Sequence, residues 1–248
     1  MGERYSSKNI KMTQLLNQQN KTLAYKLGAW SCILLMVYTL ATILVVSLIG
    51  GPPQTVEECF NMLRENRIGG LLRLDLLTVF VMPLYFVLFY ALNLSLKEIN
   101  NTLAALSGIF VFAGVTMFLS APSVFSYLRL SDGYWQAQSE VAKSQFLGAA
   151  EAVLASDIWN GTGARISGLL VQTGAVVLSV LMLRSASFSK LTAYTGILTH
   201  GLDLIHIVFA FFMPAVANGI MGVAGVLYLL WFPLITVSLF RLSRLNTN

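Results

Sequence analysis

Six stretches of about twenty residues each carry almost no charge: residues 28–50, 74–96, 102–128, 162–183, 191–212 and 219–240. A helix needs about 20 mostly apolar residues to cross ~30 Å of hydrocarbon. Each run meets that length. None alternates apolar with polar residues, as the strands of a membrane barrel do. In lipid, a helix satisfies its own backbone groups and an open strand does not. The expected fold is therefore all-α, a polytopic transmembrane helical bundle of six spans lying in the cell membrane.

Composition agrees. Of 248 residues, 56% are hydrophobic and only 11% charged, against about 25% charged in an ordinary soluble domain. That shortage excludes a disordered chain and almost any water-soluble enzyme. Two cysteines cannot make a disulfide framework or a zinc cluster. Cys32 lies in the first span and Cys59 outside it, so both are expected as free thiols.

Six spans place both termini on one side, and Lys and Arg choose which. Ten of the 16 basic residues fall on the side of the termini: Arg4, Lys8, Lys11, Lys21, Lys26, Lys97, Arg184, Lys190, Arg241 and Arg244. The other six, in longer loops also rich in acids, are Arg64, Arg67, Arg73, Arg129, Lys143 and Arg165. Both termini are expected in the cytoplasm. The net charge of +5 follows from this asymmetry and does not indicate nucleic acid. The partner it implies is the lipid bilayer. Residues 1–27 are a polar cytoplasmic segment, and the apolar run after it starts too late and runs too long for a cleaved signal peptide. Residues 28–241 make the membrane domain and 242–248 a cytoplasmic tail.

Two loops on the outer side read as amphipathic helices. In the first, over about 55–68, Thr55 and Glu58 form a capping box. Val56, Cys59, Phe60 and Leu63 then recur at helical spacing, with Gly69 as a stop. The second covers about 133–156, capped by Asp132, with Tyr134, Ala137, Val141, Gln145 and Ala149 on one face. Such helices lie at the interface or form a lid over an outward cavity.

Spans 3 and 6 share a pattern. Gly108-Ile109, Ala113-Gly114-Val115 and Pro122 match Gly219-Ile220, Ala224-Gly225-Val226 and Pro233 at a constant offset of 111. A three-plus-three repeat with an odd number of spans per half would be inverted, the usual build of secondary transporters. The other reading is that small residues recur because close-packed helices need them. Pro83, Pro122 and Pro233 are expected to kink their spans.

The most informative residues are in span 5. His200, Asp203 and His206 lie mid-span, and with Thr199 they share an arc of about 120° at 100° per residue. A central Asp costs about 2.5–3.5 kcal/mol to insert and so must face protein or water. Both histidines of the chain stand beside it. Three readings fit: a structural hydrogen-bond cluster, a solute or proton site, and a metal site needing a third ligand such as Asp75. Asp75 and Arg165 open spans 2 and 4 from the outer side and would join Asp203 and the histidines in an outward vestibule, with Gln172 and Tyr228 on its wall. Trp231, mid-span, would pack inside. No H-E-x-x-H, phosphate loop or nucleophile elbow occurs, so no catalytic residue, metal or cofactor is assigned. The functions in view are transporter-like handling of a small solute or ion, or a non-catalytic sensor or scaffold.

Five local motifs carry a resemblance: Arg73-Leu74-Asp75, Ala121-Pro122-Ser123, Trp159-Asn160-Gly161-Thr162-Gly163, Ala224-Gly225 and Trp231-Phe232-Pro233. With them the chain resembles a family of uncharacterised small six-span prokaryotic integral membrane proteins, a domain of unknown function. The resemblance implies a polytopic bacterial or archaeal membrane protein and assigns no activity or site residue.

Overall fold

The computed structural model describes residues 2–121 and 124–245, with side chains from residue 15 onward. Among these residues the fold is all-helical, without a strand. In chain order the helices are α1 (Gly2–Ile49), α2 (Val56–Glu65), α3 (Arg67–Arg73), α4 (Leu76–Val81), α5 (Leu84–Leu96), α6 (Asn101–Ser120), α7 (Val124–Gln136), α8 (Glu140–Ser156), α9 (Thr162–Met182), α10 (Lys190–Phe209) and α11 (Pro214–Leu245).

Among the described residues, four helical stretches are long and apolar enough to cross a membrane by length and composition: Leu15–Ile49, Asn101–Gln136, Thr162–Met182 and Pro214–Leu245. The expected second span is not one helix. It breaks between α4 and α5 at Pro83, whose ring removes a backbone donor and crowds the preceding turn. It also starts late, because Asp75 takes a left-handed conformation with φ 62°. The fifth span, α10, has the length, but its row of Thr, His and Asp residues keeps it outside the apolar set. The polar segment before residue 28 is helical and continuous with span 1.

The chain divides into two compact units. The first comprises residues 1–36, 84–111 and 172–248. Its interior is built from Ala29, Cys32 and Leu35 of α1, Leu88, Leu92 and Leu96 of α5, Leu178 and Met182 of α9, and Trp231, Phe232, Ile235 and Leu239 of α11. Small residues allow the closest approaches. A Cβ on Gly174 would stand 2.8 Å from the Ser107 carbonyl oxygen, so only glycine lets α9 lie this close to α6. Ser189 caps α10 by accepting the Thr192 N–H at 3.0 Å. α10 and α11 pack along much of their length.

The second unit comprises residues 37–83 and 112–171. Here α2 buries Val56, Cys59, Phe60, Met62 and Leu63 against Leu74, Val124, Tyr127 and Ala150. This is the amphipathic face expected from the spacing, with Met62 added. Thr55 Oγ1 accepts the Glu58 N–H at 3.1 Å. The capping box closes differently from expectation, because the Glu58 carboxylate accepts the N–H of Gln54, at 2.8 Å, instead of that of Thr55. Gly69 is not the stop. α2 ends at Glu65, and Asn66 caps a new helix by accepting the Gly69 N–H at 2.9 Å.

The loop expected to form one helix over 133–156 forms two. α7 runs through Asp132, so Asp132 caps nothing. Instead its carboxylate accepts two hydrogen bonds from the Arg67 guanidinium, at 3.1 and 2.9 Å. The cap of α8 is Ser139, whose Oγ accepts the Ala142 N–H at 3.2 Å. Within residues 102–128 the described residues form two helices. α6 ends at Ser120 and α7 begins at Val124, and the expected kink at Pro122 lies outside the described residues. Pro233, by contrast, stays within α11.

Candidate functional site

The first unit holds one polar cluster built by three helices. From α10 come His200 and Asp203, from α9 Gln172, and from α11 Tyr228. The Gln172 amide donates from Nε2 to Asp203 Oδ2 at 3.0 Å. The Tyr228 hydroxyl donates to the same oxygen at 2.7 Å. His200 Nδ1 lies 2.7 Å from Gln172 Oε1 and 3.2 Å from the Tyr228 hydroxyl. Each member therefore touches at least two others.

Local geometry explains the meeting. His200 and Asp203 are three residues apart on α10, which puts them on one face. In helices, long side chains lean toward the N-terminus, so the imidazole covers the turn that contains Gly196. A Cβ on Gly196 would strike the Ser179 hydroxyl and the Trp231 indole nitrogen. Its absence lets the indole lie edge-on against the imidazole, with ring centroids 4.6 Å apart. The Tyr228 ring meets the imidazole at 5.3 Å in the same manner. His200 and Trp231 are both 0% exposed. Two ring nitrogens in this core have no partner, His200 Nε2 and Trp231 Nε1.

The other residues expected at the site go elsewhere. His206 donates from Nδ1 to the Ala217 carbonyl at 3.0 Å, which ties the end of α10 to the start of α11. Thr199, though on the expected face, donates to its own helix at the Thr195 carbonyl, 2.7 Å away. Asp75 and Arg165 belong to the second unit. There Asp75 accepts from the Thr78 hydroxyl, which also bonds Tyr38. Arg165 is partly buried in the first turn of α9. Arg73 donates to the Gly51 carbonyl at 2.7 Å and pairs with Glu58 at 2.8 Å. Among the described residues no three His, Cys, Asp or Glu side chains converge as a metal site would require.

Outside the spans, two groups are shifted. The Glu58 carboxyl is held below its ordinary value, first by the Gln54 N–H and then by Arg73. Burial pushes the Cys59 thiol up to about 12, so it is no nucleophile at neutral pH. The second unit also contains a cavity of about 430 Å³ lined in part by Tyr127, Glu151, Asp157 and Trp159. Asp157 is fully engaged there, accepting from the Tyr127 hydroxyl and from the N–H groups of Trp159 and Asn160, each at 2.9 Å.

Sequence reasoning found His200 and Asp203 and placed Gln172 and Tyr228 nearby without making them partners. It missed Tyr38 beside Asp75, and nothing in the local sequence pairs those two. No known protein family, no curated protein and no solved structure matches this chain.

Proposed function

We propose that this protein is a six-span integral protein of the cell membrane that handles a small solute or ion in the manner of a secondary transporter, with Asp203 and His200 at its site. The observation that carries the reading is Asp203. Its carboxylate takes hydrogen bonds from two other helices while the His200 beside it keeps a buried nitrogen without a partner.

Depth supports the same reading. At 1.5 Å per residue, Gln172 and His200 lie about 15 Å from the starts of their helices, and Asp203 and Tyr228 about 20 Å. Those depths fall near the middle of a 30 Å hydrocarbon layer. Ionisable groups at that depth are costly and mark solute or ion pathways. The six crossings are the apolar part of α1, then α4 with α5, α6, α9, α10 and α11. The break between α4 and α5, at the far end of α4 from Asp75, fits the discontinuous helices of transporters. Both termini face the cytoplasm, on the Lys and Arg asymmetry. Membership of the small six-span prokaryotic family belongs to the same proposal. The inverted repeat is not needed by it: the paired glycines differ in surroundings, Gly114 packed against Ser167 and Gly225 open.

The test uses purified full-length protein in liposomes on a solid-supported membrane. Concentration jumps of protons, sodium, amino acids, sugars and organic amines are applied in turn. Wild type is expected to displace charge with at least one class, and Asp203→Asn with none. Folded wild-type protein that answers none of them overturns the proposal in favour of a sensor or scaffold.

A further inference from the structure

The hydrogen-bond pattern fixes which nitrogen of His200 carries its proton. An ionised carboxylate only accepts, so Gln172 must turn its amino group to Asp203 Oδ2. The amide oxygen then faces His200 Nδ1 at 2.7 Å. Two acceptors do not bond each other, so Nδ1 carries the hydrogen and Nε2 holds a bare lone pair. That lone pair is buried and unpartnered. A resting imidazolium would place a charged donor there with nothing to accept it. The ring at rest is therefore neutral.

Tyr228 stands between the two ionisable groups. Its hydroxyl is 3.2 Å from His200 Nδ1 and donates to Asp203 Oδ2 at 2.7 Å. The single Nδ1–H is shared, with Gln172 Oε1 as its nearer acceptor at 2.7 Å and the Tyr228 oxygen as its second at 3.2 Å, and the phenol donates in turn to the carboxylate. Resting on the reading of this cluster as the working site, we infer that His200, Tyr228 and Asp203 form a proton wire, with His200 Nε2 as the receiving end and Asp203 Oδ2 as the delivering end. The ion handled at the site is then the proton.

The step balances. Nε2 is closed to solvent in this conformation, so the step begins when this end of the cluster opens to water: a hydronium O–H bond breaks, its proton bonds to Nε2 to make the imidazolium, and a water molecule is left. The Nδ1–H bond breaks as its proton bonds the Tyr228 oxygen. The original phenol O–H bond breaks, and that proton bonds Asp203 Oδ2. One proton has moved and no electron has. His200 is left neutral in its other tautomer, the phenol is intact, and Asp203 is a neutral acid. Gln172 carries no proton. It is a positioning residue that holds the imidazole and the carboxylate at the two ends of the phenol. The other titratable groups whose electrostatics reach the wire are His206, one turn beyond Asp203, acting on Asp203, and Tyr85 of α5, acting on Tyr228.

The experiment has two readouts on full-length protein in lipid. Nitrogen NMR of ¹⁵N-histidine protein, with His206→Gln to single out His200, reads the tautomer directly. The wire requires Nδ1–H and a bare Nε2 in the neutral ring. A neutral ring protonated at Nε2 overturns it. Infrared spectroscopy then follows exchange of the Asp203 carboxyl proton for deuterium at acid pH, the band being identified by its loss in Asp203→Asn. Tyr228→Phe keeps the ring and its packing but removes the link, so exchange is expected to slow by about a hundredfold. Exchange at the wild-type rate in a variant with wild-type thermal unfolding overturns the wire. Should Tyr228→Phe not fold, the tautomer decides alone. Neither readout needs a solute, so a failed solute screen rejects transport, while these two results judge the wire separately.

Discussion

Gly196 sets the terms on which His200 is buried. The indole of Trp231 occupies the space a side chain at 196 would fill, and the imidazole leans on that indole. Gly196→Leu has to displace the Trp231 ring, and overpacking of this kind costs about 1–3 kcal/mol. We expect a lowered thermal unfolding midpoint in detergent, together with a change in histidine NMR shifts confined to His200. An unchanged midpoint would mean that the two helices separate freely at this point. The shared face of His200 and Asp203 was legible in the sequence because it follows from helical spacing alone. His206 satisfied the same rule and still left the cluster, because near the end of α10 it has the Ala217 carbonyl within reach. Spacing says which residues look the same way. It does not say which partner another helix brings, so Gln172 and Tyr228 were neighbours in the sequence reading and hydrogen-bond partners only in the fold.

Helix ends were harder to read than helix bodies. The apolar face of α2 was predicted from its spacing, whereas its end, the cap of α8 and the break between α4 and α5 depend on rival caps and on Pro83. Asn66 outcompetes Gly69, and Ser139 outcompetes Asp132 because Arg67 engages the latter. At the start of α2, Glu58 links the helix to the preceding loop through the Gln54 N–H and to Arg73. Its folded pKa lies below the unfolded one. The contact therefore contributes stability that is present above the ordinary carboxylate range, about pH 4, and is lost as pH falls through the lower folded value. Because Glu58 is 41% exposed, solvent screening keeps the effect small. Backbone hydrogen exchange over residues 51–60, corrected for intrinsic rates, should accelerate on acidification in wild type. In Glu58→Gln it should start faster at neutral pH and change less. Equal pH dependence in the two proteins would show that the carboxylate does not hold this corner.

For the molecule as a whole, six apolar runs gave the helical class directly, since length and hydropathy are summed over many residues and tolerate local error. Orientation rests on fewer residues and has its own test. A reporter fused after Asn248 is expected to read as cytoplasmic, and a periplasmic reading would require a seventh crossing. Asp203 separates a buried cluster that works on a solute or ion from one that is merely glue. Asparagine retains an oxygen for the Tyr228 hydroxyl and the Gln172 amide but loses the charge. Leucine removes their shared acceptor and leaves the Tyr228 hydroxyl and the Gln172 amide only their longer contacts with each other, at 3.2 and 3.3 Å, a loss of about 1–3 kcal/mol. The most direct measurement is the membrane level and thermal unfolding midpoint of Asp203→Asn beside Asp203→Leu and wild type, with the charge-displacement assay run on the same samples. Both variants are expected to insert, and Asp203→Asn to unfold near the wild-type temperature and yet be inactive. An Asp203→Asn protein as unstable as Asp203→Leu, or as active as wild type, would contradict the working-site reading.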